Sequence, residues 1–227
     1  MRMSRRRFTT LAWMMALAAP MAALSACSFT PSRRSAELHT YLLSPDLSSV
    51  SDPVASNKKT LPVLLVTIPR AQAGFDSPRM VYLLRPHEIR YYADNQWADT
   101  LGRMLARLLA EALEKSGAWG TVIQMPNAVR GDYRLDADDL ALQQEFFSNP
   151  SRLRLTLRLQ LVAQPGQTVI DTRQFDIMEE SPSEDAYGGV LAANRAVSKL
   201  LEQVADWTGA AGRRAPAQIK GESLKAK

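Results

Sequence analysis

The chain has 227 residues, a formal charge of +5, a single cysteine and two histidines, enough for one domain with a real core or two small ones. The basic balance misleads, because Arg2, Arg5, Arg6 and Arg7 lie in a segment that reads as removable, and without residues 1–26 the count is 24 basic to 23 acidic. Setting aside Arg213, Arg214, Lys220, Lys225 and Lys227 leaves a slightly acidic body, which excludes the basic footprint of a nucleic-acid-binding fold.

The first element is an address. The four arginines precede an apolar run, Leu11 to Ala23, broken only by Pro20, and small residues lead to Cys27. This is the layout of a secretory signal, and the run falls short of the roughly 20 residues that span a bilayer as a helix. Leu24-Ser25-Ala26-Cys27 resembles the bacterial lipobox. The resemblance implies that the Cys27 thiol takes a diacylglycerol group, that residues 1–26 are removed, and that the new amine is acylated, with palmitate the expected chain. A thiolate suits this chemistry because it is a far better nucleophile near neutral pH than a serine hydroxyl. The covalent lipid on Cys27 is the only non-protein group expected; no other cofactor is. Three acyl chains, at about 0.8 kcal/mol per buried methylene, hold a protein firmly in a membrane. Ser28 stands where an aspartate retains many lipoproteins in the inner membrane, so the sorting rule implies the inner leaflet of the outer membrane. Ser4-Arg5-Arg6-Arg7-Phe8 also resembles the twin-arginine export motif, and the general and twin-arginine routes both fit. With its one cysteine acylated, the chain forms no disulfide and depends on its core.

Residues 27–60 are rich in Ser, Pro, Thr and Asp and read as a lipidated N-terminus and tether. Tyr41-Leu42-Leu43 interrupts it as an edge strand folding back on the domain. Leu61 to Pro69 is apolar on both parities, as in a strand buried on both faces. Met80–Leu84 and Ile89–Tyr92 form two short strands joined by a turn at Arg85-Pro86-His87-Glu88. In the preceding loop, Phe75 either touches a partner or packs back on the core.

From Trp97 to Leu113, apolar residues recur at spacings of three and four, predicting an amphipathic helix capped by Asp94 or Asn95 and ended by Gly117. On its polar face Asp99–Arg103, Arg107–Glu111 and Glu111–Lys115 are spaced as ion pairs. Thr121–Met125 is a short strand. The strand opening at Asp132 changes phase between Ala137 and Leu140, which a one-residue bulge near Asp138-Asp139 corrects. Leu153, Leu155, Leu157, Leu159 and Leu161 alternate with Arg152, Arg154, Thr156, Arg158 and Gln160, giving one apolar and one basic face. The arginines read as cross-strand partners of Asp136, Asp138, Glu145, Asp171 and Asp176 rather than as an anionic-lipid site. Gln164-Pro165-Gly166-Gln167 turns the chain into a strand over 168–178. Ser181-Pro182-Ser183-Glu184 opens a closing helix that runs to Trp207, and residues 209–227 read as a disordered basic tail.

His39 and His87 stand apart, with no His-Glu-x-x-His or Cys/His spacing, so no metal site is expected, and no nucleophile elbow or phosphate-cradling glycine loop is present in the sequence. The chain is expected not to be an enzyme. The order lipobox, Tyr41-Leu42-Leu43, Val66-Thr67-Ile68-Pro69, Met80-Val81-Tyr82, Ile89-Arg90-Tyr91-Tyr92, then Trp97-Ala98-Asp99 opening a Leu-rich helix, resembles the PqiC-like ABC-type transport auxiliary lipoproteins. The resemblance implies a periplasm-facing α/β domain, and the elements read along the chain make it a single domain over residues 61–208 with a mixed, largely antiparallel sheet and two main amphipathic helices packed on it. It further implies an outer-membrane component that works with an MCE-domain protein and an ABC permease and ATPase to move lipid or another hydrophobic solute between membranes. Some members of the family form homo-oligomeric rings. Phe75, Tyr91 and Tyr92 are the candidate partner contacts. The alternatives are a lipoprotein that assembles or plugs an outer-membrane barrel and, third, a periplasmic hydrolase.

Overall fold

The computed structural model describes residues 37–50, 61–164 and 166–225, with side chains described to Arg214. The export signal, Cys27, Ser28 and most of the expected tether lie outside the described residues. The fold is built on an alternating strand, β7 (Arg152–Ala163), whose five odd-numbered leucines from Leu153 to Leu161 are all buried. It is flanked by two antiparallel neighbours of 13 residues each, β6 (Tyr133–Glu145) and β8 (Thr168–Glu180). The phase change predicted in β6 is a bulge: its register with β7 shifts between Asp138 and Ala141, and Asp139 takes a positive φ of 54°. Tyr133, Leu135 and Ala137 before it, and Leu140 and Leu142 after it, thereby join one core.

β7 occupies one edge of β6, and two separate strand groups share the other. β2 (Val63–Val66) pairs in parallel with the start of β6 and with β5 (Thr121–Gln124). β3 (Arg79–Leu83) pairs in parallel with the end of β6 and antiparallel with β4 (Arg90–Trp97). β1 (His39–Tyr41) then lies parallel to β4, which is the edge strand expected at Tyr41. Between β2 and β3 the chain stays on the β6 edge through Arg70 and Gln72, whose amides donate to Ala137 and Leu140. The long pairings are thus antiparallel, and the short flanking ones are mostly parallel.

Helices α1 (Leu101–Lys115) and α2 (Ala186–Lys225) cover one face of the sheet. Their leucines, valines and alanines merge with those of β2, β6 and β7 in one core. The opposite face is polar, apart from a small cluster of Phe75, Val81, Leu83 and Ala141 beneath the loop before β3.

Four expectations about boundaries need correction. Trp97 closes β4 rather than opening α1, and Asp94 and Asn95 are strand residues, because β4 finds partners on both sides. α1 starts after Thr100, whose N–H is bonded to the Asp99 carboxylate at 2.7 Å; Gly117, at φ 61°, follows its end as expected. α2 starts after Asp185, not Ser181: Asp185 Oδ1 accepts the Gly188 N–H at 2.7 Å and the Ser183 hydroxyl. The domain begins before residue 61, since Leu43 and Val50 are buried.

The domain also continues beyond 208, so the expected disordered tail is in its described part helical. α2 runs through Gly209 and Gly212 to Lys225, with Ala211 fully buried and Arg214 paired to Asp171 at 3.5 Å. The two glycines make this packing geometrically feasible. A Cβ on Gly212 would stand 2.9 Å from the Trp119 ring, and one on Gly209 would stand 3.2 Å from the Ala118 methyl. Close packing there outweighs the helix-propensity cost of about 1 kcal/mol per glycine.

Candidate functional site

The polar face of the sheet holds the arginines of β7, and each has a local account. Arg154 forks onto Asp176 of β8 with bonds of 2.9 and 2.6 Å, Arg152 approaches Glu180 at 3.9 Å, and Arg158 approaches Asp138 of β6 at 3.9 Å. The hydrogen bonds from Arg154 hold the Asp176 carboxyl below its ordinary range. Of the other expected acids, Asp136 takes Arg134 of its own strand, and Asp171 faces α2, where it accepts from the Trp207 indole at 3.0 Å. Of the five acids expected to pair across strands, only Asp138 and Asp176 meet arginines of β7; Glu145 accepts instead from the Gln143 amide at 2.6 Å, and Arg152 takes Glu180, which alternation had not named.

The helix-covered face has a different character at the end where β3, β6 and the start of α2 meet. Tyr82 of β3 packs against Tyr92 of β4, ring centroids 4.7 Å apart, and meets Phe146 edge-on at 6.0 Å. On the β1 side of the same helix start, Tyr41 and Tyr187 rings lie 6.1 Å apart. Leu84 and Phe147 follow the hydrogen-bonded ends of β3 and β6, and both are exposed, as are Leu42 and Tyr187.

Behind the aromatics sits a buried polar hub that alternation alone did not single out. Gln144 is 2% exposed. Its Oε1 accepts from the Tyr92 hydroxyl at 2.9 Å, and its Nε2 donates to the Ser151 and Ser181 hydroxyls at 3.1 and 3.3 Å. Gly189 lets α2 cross directly above it, since a Cβ there would fall 2.4 Å from Oε1. Burial pushes the Tyr92 hydroxyl's pKa well up, so it stays a neutral donor. Its signal was present in the sequence: a glutamine two residues after Leu142, on the inward parity of β6.

The three candidate contact residues separate. Tyr92 is half-buried over the hub. Tyr91 lies toward the opposite face, where its hydroxyl donates to the Gly74 carbonyl at 3.0 Å and the Arg79 guanidinium covers its ring at 3.5 Å. Phe75 is buried within the small cluster and presents almost no surface to a partner. Phe75 therefore packs back on its own domain, the alternative the sequence left open.

The acids with shifted pKa values all move toward the charged form, each through a fold contact. Glu88 is lowered by hydrogen bonds from Arg90 and then Arg85, and Asp185 by the Gly188 N–H and then the Ser183 hydroxyl. Among the described residues no group of three or more His, Cys, Asp or Glu side chains could hold a metal. Also among them, no helix is long and apolar enough to cross a membrane.

A family model described as the ABC-type transport auxiliary lipoprotein component matches residues 41–205. Among solved structures, a Xanthomonas campestris protein of the DUF330 family is similar at 23% identity and a TM-score of 0.69, covering 78% of this chain and 98% of its own. An uncharacterized protein is similar at 12% identity and a TM-score of 0.56, covering 76% of this chain and 99% of its own. No curated protein matches the chain.

Proposed function

The chain belongs to the ABC-type transport auxiliary lipoprotein component family, and from that membership we propose that it docks, without catalysis, in a system moving lipid or another hydrophobic solute between the inner and outer membranes. In this reading Cys27 carries diacylglycerol and an acyl chain, Ser28 directs the lipoprotein to the outer membrane, and the domain faces the periplasm. Its partners are an MCE-domain protein and, through it, an ABC permease and ATPase. A homo-oligomeric ring that receives the MCE protein is compatible with the reading.

The observation that carries it is the family match over residues 41–205 in a chain whose N-terminus ends a signal with Leu24-Ser25-Ala26-Cys27. Docking rather than chemistry is supported by the pairing of the shifted carboxyls with structural donors. Crosslinking of the intact lipoprotein in cells, followed by identification of what is captured, tests the assignment. Capture of an MCE-domain protein is the expected result. Capture of an outer-membrane barrel in its place supports an assembly or plug role instead. Cys27→Ser is expected to release the domain from the membrane fraction.

A further inference from the structure

β8 ends the sheet on one side, and among the described residues its only strand partner is β7. Along the free edge Thr172, Gln174, Asp176, Met178 and Glu180 are all exposed. The ladder determines which backbone groups face that edge. The Ser181 N–H donates to the Ser151 carbonyl at 2.8 Å, and across β7 the Gln164 N–H donates to the Asp132 carbonyl at 2.8 Å. Such pairs recur at every second residue of an antiparallel ladder. The odd-numbered residues from Asp171 to Ser181 therefore bond to β7, and the even-numbered ones turn their N–H and C=O groups outward. Both ends of the outward row are already closed. The Thr172 N–H donates to the Asp171 carboxylate at 2.8 Å, and the Glu180 carbonyl accepts from Arg195 at 2.5 Å. The residues left with both groups open are Gln174, Asp176 and Met178, a window with Asp176 at its centre.

We propose that this window pairs, antiparallel, with the same window of a second copy of the chain, about a two-fold axis at Asp176. A row of open groups centred on one residue complements itself. With Asp176 opposite its copy, Gln174 falls opposite Met178, and every open N–H and C=O of the window gains a partner. The side chains agree with this register. On the helix-covered face Phe175 falls opposite Ile177 and Arg173 opposite Glu179. Moving the axis to Phe175 would set Asp171 against Glu179, and moving it to Ile177 would set Phe175 against Glu179. The one meeting of like charges, Asp176 with its copy, joins carboxylates each forked onto its own Arg154. The edge also lacks the features that blunt strand pairing: from Thr172 to Glu180 there is no proline, no lysine and no shift of register. A two-fold contact joins like surfaces, whereas a ring joins unlike ones, so this contact rests neither on the transport reading nor on the lipidation of Cys27.

A contact confined to one strand edge belongs to the small, transient class of interfaces, so covalent capture is the measurement that reads it. The experiment uses the full chain in membranes of the cells that export it. Gln174→Cys and Met178→Cys are expressed separately and together, the membranes are oxidised with copper phenanthroline, and the linked peptides are identified by mass spectrometry. The wild type, with Cys27 alone, sets the background. Residues directly opposite in such a pair have Cα atoms about 5.5 Å apart, within the roughly 7 Å reach of a disulfide. Position 174 stands about 14 Å from its own copy at roughly 3.4 Å per residue, beyond that reach. Co-expression is expected to give the 174–178 disulfide at about tenfold or more over any disulfide formed by either variant alone. Adding Gln174→Pro to the Met178→Cys copy removes an outward N–H without touching the β7 ladder, and is expected to return the yield to background. Absence of the 174–178 disulfide, or equal yields from the separate variants, overturns the pairing, and this arm stands whether or not the proline variant folds. A yield that proline leaves unchanged in a chain that still reaches the membrane also overturns it. Disulfides from 174 and 178 to a different protein mean that a foreign strand takes the edge, which overturns the second copy as its occupant.

Discussion

Replacing Gln144 by leucine isolates the buried hub. The side chain fills a similar volume, but the Tyr92 hydroxyl loses its acceptor and the Ser151 and Ser181 hydroxyls lose their shared donor. Ser151 is fully buried and Ser181 nearly so, so water does not replace the lost partner. At about 1 kcal/mol net per bond, and up to about 3 for an orphaned buried group, the loss is about 2–4 kcal/mol. The assay is urea denaturation of the chain beginning at residue 27 with Cys27→Ser. Tyr92→Phe completes a cycle: alone it costs about 1 kcal/mol, and in the Gln144→Leu background it costs nothing, because the orphaned hydroxyl is gone. A Gln144→Leu loss below about 0.5 kcal/mol, or strict additivity of the two substitutions, would refute the hub.

Gly189→Ala sets two effects against each other. Alanine gains about 1 kcal/mol of helix propensity, but its methyl would stand 2.4 Å from Gln144 Oε1, which Tyr92 holds in place; a net loss of stability in the same denaturation assay is expected. The lowered pKa of Asp185 predicts stability that is present above the ordinary aspartate value of 3.8 and is lost as pH falls through the lower folded-state value. Asp185→Asn keeps an oxygen for the Gly188 N–H and removes the titration, so its stability profile below pH 4 is expected to be flatter than the wild type's, as read by denaturation at a series of pH values. Arg154→Gln breaks the fork to Asp176, but both side chains are more than 40% exposed; a cost under about 1 kcal/mol that shrinks with added salt is expected.

The strand core was legible because its signal is a strict period. Alternation in β7 gave the buried leucines and the arginine face together, and the interrupted alternation in β6 placed a bulge near Asp138 and Asp139, where the register shifts. Features decided by distant packing were not legible. Asn95 and Trp97 have the composition of a helix entrance, yet His39 and Tyr41, each 56 residues earlier, pair with them and hold them as strand. Ser181 has the composition of a cap, but its hydroxyl is drawn to Gln144, and the cap passes to Asp185. Gly209 and Gly212 fall in the stretch that reads as a tail, and only Ala118 and Trp119 standing opposite them show why the helix continues. Of the candidate contacts, sequence could name aromatics, but only the packing separates the covered Phe75 from the half-buried Tyr91 and Tyr92.

The segment after β1 is pinned to both helices. Ser44 N–H bonds to Asn194 at 2.6 Å, the Ser198 hydroxyl to the Asp46 carbonyl at 2.5 Å, and Lys115 to the Leu47 carbonyl at 2.5 Å. In a chain held by its N-terminus, tension arriving from the tether first meets the three-residue strand β1. If that strand peels away, the next load falls on these side-chain pins and so on α1 and α2, while the antiparallel ladder of β6, β7 and β8 stays out of the line of pull. If Cys27 is lipidated as proposed, the domain can yield at its leash, lengthening the reach from the membrane by several residues while the ladder of β6, β7 and β8 stays closed.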